Sequence, residues 1–110
     1  MVIQRSIHVG PDSRPVEIPD NLFTGDFKKA SGIIRLPNHI FWSGDPLDFD
    51  LTILRDRVRV YELVLTEGNS DDIRFYVVPD ELVKLWPRIF LPTYVRRPWE
   101  AWLRSQGADV

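Results

Sequence analysis

Apolar residues recur at helical spacing through the second half of the chain, from about residue 51 to residue 106. In the first stretch they follow at steps of four, three and four residues: Leu54, Val58, Tyr61 and Leu65. This spacing places them on one face of a helix. Asp50 or Thr52 is a candidate N-cap, and Gly68 can adopt the positive φ of a C-cap. The pattern therefore predicts a first helix over about residues 50–68, although the charged residues near its start also alternate with the period of a strand.

Three shorter helices follow in the pattern. Asn69 or Ser70 is predicted to cap the second helix, because a short polar side chain accepts from free backbone amides. Pro79 opens the third at a first helical position, and Pro87 ends it. Thr93 is predicted to cap the last helix. The apolar residues predicted to face the core are Ile73, Tyr76 and Val77, then Leu82, Leu85 and Trp86, and finally Val95, Trp99, Trp102 and Leu103.

The last helix contains a local conflict at Pro98. Proline removes an amide donor and restricts the backbone of the residue before it, Arg97. Either the helix bends at Pro98 or its regular part begins there. The connector before this helix, residues 89–92, is apolar, and we expect it to be buried.

Residues 1–50 are punctuated by turn-forming pairs such as Gly10-Pro11 and Ser31-Gly32. The segments between the turns have strand-like composition: Val2–Val9, Arg14–Ile18, Gly32–Leu36 and His39–Trp42. We expect one or two hairpins packed on the helices, or an extended arm that orders on a partner. The chain is thus predicted to be a single, mainly α domain over residues 1–110. It has about four helices over residues 51–106 and an irregular or short-β N-terminal region, with an α+β fold as the alternative.

Composition narrows the class of protein. The chain has 110 residues, of which 44% are hydrophobic, enough for one packed core. It contains no cysteine, so no disulfide framework or thiolate metal site is available. The N-terminus lacks the pattern of a signal peptide, and no apolar run is long enough to span a bilayer. We therefore expect a cytoplasmic protein without a membrane partner.

Charge is distributed unevenly along the chain. The net charge is −2, which argues against a non-specific nucleic-acid binder. The acidic excess lies in residues 1–50, which hold 5 basic and 7 acidic residues, whereas residues 51–110 hold 9 of each. All but one of the basic residues in the second half are arginines, Lys84 being the exception. Arginine suits bidentate contacts with carboxylates or phosphates and stacking on aromatic rings.

No catalytic or metal-binding pattern is evident. His8 and His39 are far apart, and neither has a second ligand at helical spacing. The aspartates at positions 45, 48 and 50 lack the glycine and terminal glutamate of an EF-hand loop, so turn formation and capping explain them better. No serine or threonine has a base nearby in sequence, and no glycine-rich phosphate loop is present. We therefore expect a protein that is not an enzyme and that uses no cofactor and no metal.

Binding is the better-supported class of function. Arg55 and Arg59 lie one turn apart on the first helix, and further arginines decorate the last helix beside its tryptophans. Arginine next to aromatic residues is typical of protein-interface hot spots and also of single-stranded nucleic-acid platforms. The alternative is that the tryptophans belong to the core and the arginines are solvated. The candidate partner-binding residues are Arg55, Arg59, Tyr94, Arg96, Arg97 and Trp102.

A DNA-binding transcriptional regulator is the second functional hypothesis. The second and third helices could form a helix-turn-helix pair, but their joint lacks the usual glycine. The third helix begins with Asp80 and Glu81, an unfavourable charge set for the major groove. A regulator could instead place its arginines on DNA phosphates, which predicts strongly salt-dependent affinity. A helical domain with no catalytic role is the third possibility.

Several segments over residues 35–104 resemble a group of small bacterial proteins common in actinobacteria. The matching segments are Arg35–Ile40, Trp42–Gly44, Val58–Gly68, Asp71–Arg74, Asp80–Leu82, Leu85-Trp86, Leu91-Pro92, Val95-Arg96 and Trp99–Leu103. The resemblance implies a partner gene for a nucleotidyltransferase-like toxin, with the small protein as its antitoxin. Pro98 departs from the helix-forming residue expected there. We expect the antitoxin to cover the active-site cleft of the toxin, which is acidic and complementary to the arginines, or to hold the toxin in an inactive state. Replacing Arg96 and Arg97 with glutamate should then abolish the complex and leave the fold intact.

Overall fold

The computed structural model describes residues 16–42, 44–45 and 47–110. Its elements in chain order are β1 (Ile33–Ile34), β2 (Phe49–Asp50), α1 (Leu54–Glu67), α2 (Ser70–Tyr76), α3 (Pro79–Leu85) and α4 (Thr93–Ser105), with a 3-10 turn at Trp86–Arg88 between α3 and α4. The prediction of a mainly α fold with a small β part is confirmed.

The two strands form a small antiparallel sheet in which Ile33 lies opposite Asp50 and Ile34 lies opposite Phe49. The expected strand Gly32–Leu36 is therefore shortened to β1. The expected strand His39–Trp42 is wrong, because the Pro37 carbonyl accepts from the amides of Ile40 (3.0 Å) and Phe41 (3.1 Å) and closes a turn. The segment Val2–Val9 and the first two residues of Arg14–Ile18 lie outside the described residues, and the rest of that segment is not a strand.

Helix α1 begins later than its sequence pattern predicts. Its N-cap is Ile53, which has no side-chain cap, so the predicted caps Asp50 and Thr52 are wrong. The Asp50 carboxylate instead accepts from the Thr52 amide at 3.0 Å and from the Thr52 hydroxyl at 2.6 Å. These two hydrogen bonds hold the pKa of Asp50 below its usual value. The segment before α1 thus forms a tight turn that joins β2 to the helix.

Gly68 ends α1, as predicted, but for a different physical reason. Its φ of −85° is available to any residue, so positive φ is not what requires glycine here. A Cβ atom at this position would lie 2.7 Å from the Val64 carbonyl oxygen and 3.0 Å from the Asp72 Cβ. The Val64 carbonyl in the last turn of α1, together with Asp72 at the start of α2, therefore leaves no room for a side chain. By contrast, Gly107 follows α4 with the positive φ of 93° expected beyond a helix end.

Helices α2 and α3 begin as their sequences predict. The Asn69 side chain accepts from the Asp72 amide, and the Asp72 carboxylate accepts from the Asn69 amide, each at 2.9 Å. This reciprocal pair satisfies two free amides at the start of α2. Pro79 is the first residue of α3. Pro87 lies in the 3-10 turn that follows α3, so the chain leaves the α-helix just before this proline.

Helix α4 is continuous from Thr93 to Ser105, with Pro98 inside it. The N-cap is Pro92, so Thr93 is the first helical residue and the predicted Thr93 cap is wrong. The Pro92 carbonyl accepts from the amides of Val95 and Arg96, both at 2.9 Å, which closes the first turn before Pro98. Of the two alternatives for Pro98, a regular helix beginning at that residue is therefore incorrect.

The core is formed mainly by the inward faces of the four helices. Its completely buried residues include Val60, Val64, Ile73, Leu82, Trp99 and Leu103. Leu54, predicted on the buried face of α1, is 40% exposed because it lies more than a turn before the first buried position of that helix. The buried stripe of α1 is instead formed by Val60, Tyr61, Val64 and Leu65. Trp99 lies in the core and Trp102 is only partly buried at its edge.

Candidate protein-interaction surface

Arg55 and Arg59 lie on the side of α1 that is opposite its buried stripe. Their side chains are 84% and 53% exposed. Arg55 has a distant ion pair with Asp56 (3.6 Å), and Arg59 approaches Glu62 at 3.4 Å. Exposed pairs of this kind contribute at most about 1 kcal/mol. Both guanidinium groups are therefore accessible to a partner.

Arg57 differs from these two arginines although it lies between them in sequence. Its guanidinium is 2.9 Å from the Glu81 carboxylate and donates through Nε to the Leu51 carbonyl at 3.0 Å. The pair is half-buried and joins α1 to α3. Arg57 is therefore a structural residue and does not lie at the flank of the Arg55–Arg59 pair.

Glu62 joins α1 to the connector that precedes α4. One of its carboxylate oxygens faces Arg59, and the other accepts from the Phe90 amide at 2.8 Å. On the other side of the connector, the Arg96 guanidinium donates to the Ile89 carbonyl. The backbone of Ile89 and Phe90 is thus held between a side chain of α1 and a side chain of α4. This arrangement brings Arg59 and Arg96 to the same region of the surface.

Arg96 is more restricted than a free surface arginine. Its guanidinium carbon lies 4.8 Å from the centre of the Trp86 ring, and Nη1 donates to Glu100 at 3.0 Å. The Trp86 indole N–H also donates to Glu100, at 2.9 Å. This indole hydrogen bond, with the charge of Arg96 and then that of Arg104, holds the pKa of Glu100 below its usual value. Arg96 therefore connects α4 to the 3-10 turn.

The six residues predicted to bind a partner do not form one face. Tyr94 and Trp102 are separated from Arg96 by about 160° and 120° around the α4 axis, at about 100° per residue. Tyr94 is partly buried against the core. Trp102 contacts Phe23, with 5.6 Å between the ring centres. Arg97 is exposed, next to Arg96 in sequence. The structure therefore brings Arg59 and Arg96 to one region, whereas Tyr94, Arg97 and Trp102 lie on other sides of α4, Arg97 about 100° from Arg96.

Phe90 is the surface residue that the sequence pattern did not single out. The connector was expected to be buried, and Ile89 and Leu91 are indeed only 2% and 4% exposed. Phe90 between them is 80% exposed and Pro92 is also exposed, so the expectation is wrong for these two residues. An extended segment points alternate side chains in opposite directions. The backbone of Ile89, which follows the 3-10 turn, is extended, and this conformation turns the Phe90 side chain away from the core.

A hollow of about 260 Å³ contains several polar side chains that could take part in catalysis. Its polar groups include Arg57, Glu81, Tyr61 and Tyr76. The first two are paired with each other, and the Tyr61 hydroxyl accepts from the Val78 amide at 3.1 Å. Burial raises the pKa of both tyrosines, which disfavours their ionised forms at neutral pH. No pair of nucleophile and base is formed by these groups.

The candidate metal ligands considered from the sequence have structural partners. The His39 ring is 2.7 Å from the Asp72 carboxylate, which caps α2. Asp48 is paired with Arg35, and Asp50 with Thr52. Across the described part of the chain, no group of three or more potential ligands could hold a metal ion. His8 lies outside that part.

Helices α2 and α3 do not present a basic surface suited to the major groove. Each contains seven residues. Glu81 at the start of α3 is shared between Arg57 and Lys84, at 2.9 Å and 3.9 Å. Asp80 beside it is exposed. The negative charge at the start of α3 would repel DNA phosphates.

No family model, curated protein or solved structure matches this chain. None of the helices in the described ranges is long and apolar enough to cross a membrane.

Proposed function

We propose that this chain is a cytoplasmic regulatory protein that binds another protein and acts as the antitoxin of a nucleotidyltransferase-like toxin. The resemblance over residues 35–104 supplies the class of partner. The structural observation that supports a binding surface is the link from Arg59 through Glu62 to the Ile89–Phe90 backbone and on to Arg96. This link fixes Arg59 of α1 relative to Arg96 of α4.

Charge complementarity supports this choice of partner. A nucleotidyltransferase holds divalent metal ions with carboxylates, so its cleft is acidic. Arg55 and Arg59 point into solvent from α1, and Arg97 does so from α4. Opposite potentials across an interface accelerate association and select the correct partner. The antitoxin would therefore act by covering the entrance of the cleft.

A fixed backbone also favours binding. Association costs free energy when side chains and loops become ordered at the interface. Here Glu62 and Arg96 already order the connector in the free protein. The ordering cost on binding should consequently be small for this part of the surface.

Co-expression with the nucleotidyltransferase-like protein expected from the neighbouring gene tests the proposal. The wild-type chain should restore the growth of cells that express the toxin and should co-purify with it in a fixed ratio. The double variant Arg55→Glu/Arg59→Glu should lose both properties while its thermal unfolding stays unchanged, because both side chains are exposed. Lys84→Glu is the matched control, since Lys84 is 74% exposed and lies on α3.

The hypothesis of a DNA-binding regulator predicts a different result for the same purified chain. Binding of the chain to a fragment of its own promoter would be sequence-specific and would weaken steeply as salt rises. Specific DNA binding without growth rescue would replace the antitoxin proposal. If the Arg55→Glu/Arg59→Glu variant still restores growth, the protein is an antitoxin whose interface lies on another surface.

A further inference from the structure

Phe90 is the most exposed large apolar side chain in the described part of the chain, at 80%. Single apolar residues are common on protein surfaces and need no explanation by themselves. Phe90 is distinguished by its flanking residues, because Ile89 and Leu91 are both buried in the core. The core therefore anchors the backbone on each side of an aromatic ring that projects into solvent.

Hydrogen bonds fix the same segment from outside the core. The Phe90 amide donates to Glu62 on α1, and the carbonyl of the preceding residue accepts from Arg96 on α4. A phenylalanine on a backbone held in this way loses little conformational freedom when it enters a pocket, because only its two side-chain torsions become ordered. Preorganised aromatic residues of this kind are typical interface anchors.

The charges around Phe90 indicate the chemistry of the pocket that would receive it. Arg59, which is 53% exposed, shares Glu62 with the Phe90 amide. Arg88, two residues before Phe90, is also exposed. Glu62 is only 16% exposed, and both of its oxygens are engaged. The solvent-facing charge beside the ring is therefore predominantly positive.

We propose that Phe90 is the anchor of the partner-binding surface and inserts into an apolar pocket rimmed by carboxylates on the partner protein. This inference deepens the proposed function and rests on it. Burial of the ring would remove its apolar surface from water, and the rim would place carboxylates opposite Arg59 and Arg88. The arginines would govern the association rate, and Phe90 would govern the lifetime of the complex.

Titration calorimetry with the purified nucleotidyltransferase-like partner tests the anchor. Phe90→Ala should weaken the affinity by about 30-fold or more, as expected for a central aromatic hot spot. Phe75→Ala is the matched control, because Phe75 is an exposed phenylalanine on α2. It should change the affinity by less than about threefold, as expected outside an interface. Circular dichroism and thermal unfolding of both variants would verify that each still folds.

The outcomes separate this inference from the proposed function. If the wild-type chain binds the partner and Phe90→Ala binds equally well, the anchor is wrong while the antitoxin proposal stands. If the wild-type chain does not bind, both fail together. Sedimentation of the free chain supplies a further test. A wild-type dimer that Phe90→Ala dissociates would show that a second copy covers this residue, and this result would also overturn the anchor.

Discussion

Arg96 lies over the indole ring of Trp86, with 4.8 Å between the guanidinium carbon and the ring centre. The Glu100 carboxylate accepts a hydrogen bond from each of these two side chains. This three-residue cluster joins α4 to the 3-10 turn and is only partly accessible to solvent. From the sequence, Arg96 and Arg97 are equivalent surface charges. The structure separates them into a packed residue and an exposed one.

Substitution of Arg96 should therefore affect folding as well as binding. Arg96→Ala removes a cation–π contact and charge-assisted hydrogen bonds, and we expect it to lower the free energy of unfolding by about 1–2 kcal/mol after allowance for solvent screening. Arg97→Ala should change it by less than about 0.5 kcal/mol, as is usual for an exposed side chain. Urea denaturation of the two single variants would measure both values. Equal stability of the two variants would contradict the structural role of Arg96.

A glutamate at position 96 is therefore unsuitable as a test of binding alone. It would place a carboxylate next to Glu100 and lose the contact with Trp86. The expectation that a double glutamate substitution of Arg96 and Arg97 leaves the fold intact does not agree with this cluster. The variant Arg55→Glu/Arg59→Glu has a much smaller effect of this kind, because both guanidinium groups are exposed and their distances to Asp56 and Glu62 are long, at 3.6 Å and 3.4 Å.

Gly68→Ala should destabilise the protein although the φ of Gly68 is ordinary. The new Cβ would lie 2.7 Å from the Val64 carbonyl oxygen, and the start of α2 would have to move. We expect a loss of about 1–3 kcal/mol in thermal or urea unfolding, in the range of other steric substitutions. Gly107→Ala is the comparison, because it has open space but a positive φ of 93° and should cost about 1 kcal/mol. A neutral Gly68→Ala would mean that the two helices are not so closely packed there.

Local sequence signals predicted the starts of α2 and α3 well. An asparagine three residues before an aspartate and a proline at a first helical position act within one turn of the chain. The start of α1 was predicted less well, because Asp50 could form either a helix cap or a turn with Thr52. Whether Asp50 forms the cap or the turn depends on the position of β2, and that position depends on residues distant in sequence.

The candidate surface was only partly predictable for the same reason. The exposure of Arg55 and Arg59 follows from the period of α1. The roles of Arg57 and Arg96 depend on Glu81 and Trp86, which lie on other elements. Helical spacing could not determine which elements would supply these partners. Phe90 was missed because an apolar residue in an apolar run carries no local sign of exposure.

Protonation of Glu100 should reduce stability at low pH. Its pKa is lowered in the folded protein, chiefly by the Trp86 indole hydrogen bond, so the unfolded chain binds a proton more readily. The ionised Glu100 therefore stabilises the folded protein fully above its usual pKa of 4.5. This stabilisation is lost as the pH falls through the lowered pKa of the folded state. Urea unfolding between about pH 3 and pH 6 should show a shallower pH dependence for Glu100→Gln than for wild type. A Glu100→Gln variant with the same slope as wild type would contradict this account.

Pro98→Ala should stabilise the protein. Proline at this position of α4 has no amide to donate to the Tyr94 carbonyl, whereas alanine would restore that hydrogen bond. A proline in a helix interior lowers the free energy of unfolding by about 3 kcal/mol relative to alanine. Proline also restricts the unfolded chain, and this effect stabilises the folded protein by up to about 1 kcal/mol. We therefore expect a net gain of about 1–2 kcal/mol in urea unfolding.

Ala101→Gly on the same helix calibrates this measurement and should lower stability by about 1 kcal/mol, because Ala101 is an exposed interior position of α4. If Ala101→Gly lowers stability as expected but Pro98→Ala is neutral or destabilising, the turn from Thr93 to Arg97 does not continue into the rest of the helix. The orientation of Arg96 toward Trp86 depends on that continuity, because the spacing between Arg96 and Glu100 is one helical turn only if Pro98 lies within the helix.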